Sequence, residues 1–169
     1  AHAGGGYAER RRSCEEAARQ LGVPYLRDIG GSDLESALAR LDGPDRDVLR
    51  RRARHIITEN DRVLKTVERL STGRLRDIGP ILTQSHASMR DDFEISVPEL
   101  DTAVEAALAA GALGARMTGG GFGGSAIALI RAAELDDVSR AVEAAFADHG
   151  FGAPQIWSPR ASSGAIRDS

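Results

Sequence analysis

Apolar residues recur at helical spacing along the first two thirds of the chain and at strand spacing only near its end. Cys14, Ala17, Ala18 and Leu21 lie on one side of a helix from Tyr7 to Leu21, and Gly22 follows as a stop. A short extended piece is expected around Tyr25 to Ile29. Asp33 opens a brief helix through Leu41, with Ala37, Leu38 and Leu41 on one face, and Asp42-Gly43-Pro44 breaks the pattern. Asp45 to Leu70 reads as a long helix whose buried side carries Val48, Ile56, Val63, Leu64, Val67 and Leu70. After Ser71-Thr72-Gly73 a further helix is expected from Leu75 to about Met89, with Pro80 near its start. Ser96-Val97-Pro98-Glu99 has the form of a capping box, and the helix it opens runs through Leu100, Val104, Ala107 and Leu108 to Gly111.

Beyond Gly111 the period changes. Ala115 to Thr118 reads as a strand, Gly119 to Gly124 as a loop, and Ser125 to Arg131 as a second strand. Asp136 to His149 returns to helical spacing on Val138, Ala141, Val142, Ala145 and Phe146. Gln155 to Ser158 is expected as a third strand and Ser162 to Arg167 as a fourth. Helices first, then strand, loop, strand, helix and strand, argue an α+β fold: an antiparallel sheet of about four strands flanked by helices.

Composition narrows the class. The 169 residues are 41% apolar and 28% charged, with a net charge of −3. That balance fits a soluble protein and gives no electrostatic case for nucleic acid or an anionic membrane. Aromatic residues are only 4%, so the core falls to aliphatic side chains. Cys14 is the single cysteine, which excludes an internal disulfide and favours a reducing, cytoplasmic setting. No apolar run approaches the roughly 20 residues that span a bilayer. The first residues carry neither the basic nor the apolar stretch of a signal peptide, and they lack an initiator Met. The expectation is a chain that starts inside a longer protein.

The chemistry-bearing stretch is Thr118-Gly119-Gly120-Gly121-Phe122-Gly123-Gly124-Ser125. Five glycines in six positions allow positive φ and close approach to the backbone, and successive exposed amides can face an anion. Gly119, Gly121 and Gly124 match G-x-G-x-x-G literally, but a dinucleotide site needs a helix directly after the loop, and here a β-type run follows. The Walker pattern fails for want of Gly-Lys-Ser/Thr. A tight connection that meets no ligand is the alternative that spacing leaves open. His2, His55 and His149 share no metal-ligand spacing. His86 is expected in a core or capping role, Cys14 as a small buried residue, and Arg10-Arg11-Arg12 and Arg50-Arg51-Arg52 as solvated helix faces. Asp91-Asp92 and Asp136-Asp137 read as exposed charges or caps.

Three stretches carry a resemblance. Met117 to Ser125 resembles the third motif of the GHMP kinases in its galactokinase form, with Ser125 where that family often has Cys. Ser85 to Asp101 resembles the Ser-His … Glu-Val-Ser … Pro-Glu-Leu-Asp block of galactokinases, and Tyr7 to Glu15 their Tyr-x-x-Arg-Arg-x-x-Cys segment. The matches are collinear and cover nearly the whole chain. The resemblance implies a ferredoxin-like C-terminal domain over 72–169, led into by a helical segment over 1–71. It implies a parent kinase that uses ATP and Mg2+ to phosphorylate galactose at the anomeric hydroxyl. Tyr7 matches the family's sugar-contacting tyrosine, where a half-buried tyrosine at a helix start is the structural alternative. Thr118 to Ser125 matches a loop that supports the phosphate site. The family's sugar signature, phosphate loop and catalytic aspartate find no match here, so no catalytic residue and no ATP or metal ligand is expected in this chain. Its partner is the missing N-terminal kinase half. Kinases of N-acetylgalactosamine, arabinose or galacturonate, a non-catalytic sugar-sensing regulator, and a freestanding ligand-binding or dimerisation module are the alternatives.

Overall fold

The computed structural model describes residues 3–159. Six α-helices and two strands follow in the order α1 (Ala3–Leu21), α2 (Leu34–Arg40), α3 (Arg46–Ser71), α4 (Ile78–Asp91), α5 (Pro98–Ala109), β1 (Gly114–Thr118), β2 (Ser125–Leu129) and α6 (Leu135–Asp148). The helices lie where the apolar spacing places them, and the class is α+β. The sheet is smaller than expected. β1 and β2 form an antiparallel pair, with Gly114 opposite Leu129 and Thr118 opposite Ser125, and no third strand joins them among the described residues.

Gln155 to Ser158 is irregular, with Ile156 and Trp157 exposed. A four-residue alternation has strand propensity, but propensity becomes a strand only where a neighbour offers a ladder and a face to pack on. The expected fourth strand, Ser162 to Arg167, lies outside the described residues. Tyr25 to Ile29 is also not extended, since Leu26–Asp28 is a turn of 3₁₀ helix closed by an Asp28 side chain that accepts the Tyr25 N–H at 3.1 Å.

Apolar side chains collect into three clusters. α1, α2 and the first half of α3 meet through Ala17, Ala18, Leu21, Leu38, Leu49, Ala53 and Ile57. Val104 and Ala107 of α5 pack with Ala115, Val138 and Val142. Met89, Ile95, Leu100 and Met117 form a smaller group under the β1–β2 loop. The second half of α3 departs from expectation: Val63, Leu64, Val67 and Leu70 are each more than half exposed. The first half of α3 turns Leu49, Ala53 and Ile57 inward against α1 and α2, while Val48 and Ile56 of the expected face are only half-buried, and nothing comparable covers the second half among the described residues.

Two local details fix how the elements meet. Gly79 of α4 and Gly114 of β1 touch backbone to backbone. A Cβ on Gly79 would lie 2.0 Å from the Leu113 carbonyl oxygen, and one on Gly114 would lie 1.9 Å from the Gly79 carbonyl oxygen. Only paired glycines let the helix sit this close to the strand. At α5 the capping box does not form. Val97 is the N-cap residue, and the Ser96 hydroxyl instead donates to the Asp101 carboxylate at 2.6 Å. The charged side chain competes successfully for the hydroxyl because a hydrogen bond to a carboxylate is the stronger one.

The arginine clusters are not solvated faces throughout. Arg11 and Arg12 are exposed, but Arg52 is 3% exposed and bonds the Asp92 carbonyl at 2.5 Å and Glu94 at 2.6 Å. Beside it, His55 Nδ1–H donates to the Ser88 hydroxyl at 3.0 Å, Ser88 donates to Asp92 at 3.1 Å, and the ring stacks on Phe93. Burial holds His55 below its ordinary value of 6.5. The folded chain therefore binds fewer protons than the unfolded chain below that pH, and stability should fall as the pH drops from neutrality. His86, lowered in the same direction by burial, adds to the slope. Urea melts at about pH 7.5 and about pH 5 are expected to show this loss, and His55→Gln should reduce it. An identical loss in that variant would contradict the assignment to His55.

Candidate functional site

The β1–β2 loop owes its shape to one tether. Phe122 N–H donates to the Ile95 carbonyl at 2.7 Å, which draws the middle of the loop onto the segment between α4 and α5. Gly121 makes that approach possible. Its φ is 85°, and a Cβ there would lie 2.6 Å from Ile95 Cβ and 2.9 Å from its carbonyl oxygen. Phe122 is itself in the left-handed region at φ 62°, and so is Glu94 at φ 54°. Non-glycine residues in that region mark strain that the surroundings must hold, and such positions cluster at functional sites.

The Phe122 ring reaches across to α1. It packs over Gly6, where a Cβ would meet the ring at 2.5 Å, and lies under the Arg10 guanidinium, 5.7 Å from the ring centroid. Arg10 donates from Nε to the Phe93 carbonyl and from Nη2 to the Glu94 carbonyl, the latter at 2.8 Å. α1 includes Gly6 and so extends ahead of the expected Tyr7. Glycines weaken a helix by roughly 1 kcal/mol each relative to Ala, but Gly6 must be small for Phe122 to dock.

Tyr7, next to Gly6 and 62% exposed, thereby faces the same hollow as the loop. A pocket of 330 Å³ is lined by Tyr7, Arg10, Arg11, Cys14, Phe93, Ile95, Gly119, Gly120 and Phe122. No carboxylate lines it, and two guanidiniums do. Burial pushes the Cys14 thiol up to about 11, so it lines the pocket as a neutral thiol. Thr118 and Ser125, the residues flanking the loop, are paired across the end of the ladder and are exposed. Gly123 and Gly124 complete the loop at positive φ. Tyr7, Gly119, Gly120 and Phe122 thus share one pocket, whereas Thr118, Ser125, Gly123 and Gly124 lie outside its lining. Sequence reasoning missed Arg10. Its spacing from Tyr7, nearly one helical turn, was the available signal.

Behind the loop, β1 is anchored by charge. Glu59 of α3 accepts from the Ser85 hydroxyl at 2.6 Å, from Arg62 at 2.7 Å and from Arg116 of β1 at 2.9 Å, and Arg116 also donates to Ser85 at 2.8 Å. Burial works against ionisation of Glu59, but the bonds from Ser85 and Arg62 outweigh it, and the carboxyl stays below its usual range. Among the described residues no three His, Cys, Asp or Glu side chains converge as a metal site, and no helix is long and apolar enough to cross a membrane.

Residues 63–148 match the C-terminal domain of the GHMP kinases, half of the chain. The chain belongs to that family. Among individual proteins it is 53% identical over 98% of its length to the galactokinase of Streptomyces coelicolor, and 46% identical over 97% to that of Mycobacterium tuberculosis. Its fold superposes on the crystal structure of Lactococcus lactis galactokinase complexed with galactose with a TM-score of 0.81, at 34% identity over 88% of this chain. The chain spans 42%, 44% and 39% of the lengths of these three proteins.

Gly121→Ala tests the tether. The added methyl cannot stay in place without displacing Ile95, so the variant should lose about 1–3 kcal/mol of stability. The Phe122 amide should exchange faster with solvent. Unaltered exchange at Phe122 would show that Ile95 does not hold the loop.

Proposed function

We propose that this chain is the C-terminal part of a galactokinase and forms one wall of its active-site cleft. The observation that carries the reading is the shared pocket. Tyr7 and the glycine loop are 112 positions apart yet line one pocket, and each matches a galactokinase segment. In this reading residues 72–169 are the family's C-terminal domain, residues 1–71 lead in from the rest of a cytoplasmic kinase, and the sugar stands against Tyr7. The ring packs on the sugar face while the hydroxyl hydrogen-bonds it.

The loop fits a place beside the ATP phosphates. A Cβ built on Gly119, Gly120 or Gly123 meets nothing within 4 Å, so their backbone is open to an approaching anion. MgATP supplies the γ-phosphoryl group. The loop from Thr118 to Ser125 stands beside it, and Arg10, paired with Glu9, holds the Phe93 and Glu94 carbonyls next to the loop's tether. The residues that bind Mg2+ and act on the anomeric hydroxyl belong to the preceding part of the enzyme. Positioning and charge neutralisation are the main demands of phosphoryl transfer, and a wall of this kind serves the first.

The test is kinetic and uses the intact kinase. Tyr7→Phe removes only the hydroxyl and should weaken galactose use by about 0.5–1.5 kcal/mol, the net worth of a neutral hydrogen bond. Tyr7→Ala also removes the ring and should cost more. Neither should alter the KM for ATP. If galactose and ATP parameters fall together and follow the melting temperature, Tyr7 supports the helix and not the sugar. The isolated chain, mixed with MgATP and galactose, should form no galactose 1-phosphate above a blank.

A further inference from the structure

His86 is 3% exposed, in the third turn of α4, and its ring lies between β1 and α5. On one side the Met117 N–H of β1 points at Nδ1, at 3.2 Å. On the other, Nε2 lies 3.1 Å from the Asp101 carboxylate in the first turn of α5. A backbone N–H can only donate, so Nδ1 is the acceptor and the proton sits on Nε2, directed at Asp101. The same Asp101 oxygen also receives the Ser96 hydroxyl at 2.6 Å. The ring's polarity is thus set from both ends. It is a relay of fixed direction: Met117 N–H to His86, His86 to Asp101.

Met117 is the penultimate residue of β1, and the glycine loop begins two residues later. Its side chain is fully buried against Met89, Ile95 and Leu100. Ile95, one residue before Ser96, supplies the carbonyl that tethers Phe122. Both attachments of the loop therefore converge on the His86–Asp101–Ser96 group. The strand end hangs on the ring, and the tether hangs on the backbone beside Ser96. We propose that His86 is a positioning residue for the glycine loop, holding the end of β1 to α5 through its unprotonated Nδ1 so that the loop leaves the sheet at a fixed place. The kinetic consequence rests on the reading that this loop serves the phosphate site; the positional claim does not.

Protonation would place a second donor opposite the Met117 N–H and break the relay. The charged groups near the ring are Asp101 from α5 and Asp91 from α4, which favour the proton, and Arg90 from α4 and Arg116 from β1, which oppose it. Burial opposes it further, so the ring is neutral and the relay intact at neutral pH.

Two substitutions separate the ends of the ring. In His86→Asn the side-chain carbonyl takes the place of Nδ1 and can accept from Met117 but cannot reach Asp101. In His86→Gln the amide reaches the place of Nε2 and can donate to Asp101 while leaving the Met117 N–H without an acceptor. In the intact kinase, His86→Gln is expected to lower kcat about tenfold, the scale of one buried donor left unsatisfied, with the KM for galactose unchanged. His86→Asn should retain kcat within about threefold. Hydrogen exchange at Gly119 to Gly124 should accelerate in the Gln variant and not in the Asn variant. Equal loss of kcat in both, or loop exchange unaltered in the Gln variant, overturns the proposal. Faster loop exchange with kcat unchanged upholds the positioning and instead overturns the loop's place beside the phosphates. Should the Gln variant fail to fold, nitrogen NMR of the unaltered kinase decides. Nδ1 should be unprotonated at neutral pH, and the amide signals of Gly119 to Gly124 should shift with the midpoint of the His86 ring as the pH is lowered. A proton on Nδ1, or a loop silent to that titration, overturns the assignment.

Discussion

The hydrogen bond from Phe122 N–H to the Ile95 carbonyl is the constraint on which the site depends. A loop with five glycines in six positions has more backbone freedom to lose than any other segment of this length, and without a fixed point it would sample many shapes. One bond of 2.7 Å at its centre, reinforced by a ring wedged onto α1 at Gly6, removes most of that freedom. The ring matters because it passes the constraint on. It fixes the loop relative to α1, hence relative to Tyr7, and Arg10 closes the arrangement by binding the Phe93 and Glu94 carbonyls beside the tether. Glu94 and Phe122 both adopt left-handed backbone that they would not choose alone, and each is held by these contacts.

Behind this hook, ionic groups do what a small sheet cannot. Two strands of five residues, one of them exposed along nearly its whole length, make a weak platform. Glu59, Ser85 and Arg116 tie β1 to α3 and α4 through bonds of 2.6 to 2.9 Å. Half-buried ion pairs of this kind are modest sources of net stability, because desolvation offsets their attraction. Removing one partner is costly, however, since the other is left uncompensated. Their effect is to select one register between helix and strand.

Much of this was legible in the sequence, and the failures share a cause. The helices are legible because Ala17, Leu21, Leu38, Val104 and Val142 recur at a period set by the helix itself. The pattern overstates the sheet because Gln155 to Ser158 carries a local strand signal whose fulfilment depends on a partner strand. The outer half of α3 reads as buried because Val63, Leu64, Val67 and Leu70 have the right spacing, and spacing says nothing about what a face meets. Ser96 reads as a cap because its competitor, Asp101, lies within the same helix turn and beyond the reach of a four-residue motif. Tyr7 and the loop were identified by resemblance. Their meeting in one pocket, by way of Gly6 and Phe122, is a three-dimensional fact, and only the helical spacing of Arg10 from Tyr7 hints at it in the sequence.

The contact between Gly79 and Gly114 limits how this fold can vary. A tight packing of two side chains can be relieved from either side, because a larger residue in one helix is accommodated by a smaller one opposite. Here the obstacle to a larger residue at Gly79 is the Leu113 carbonyl, and the obstacle at Gly114 is the Gly79 carbonyl. Neither obstacle is a side chain, so no second substitution can shrink it. A change at either position has no suppressor at the other, and the pair can drift only if helix and strand move apart together, carrying the end of the sheet and its loop with them.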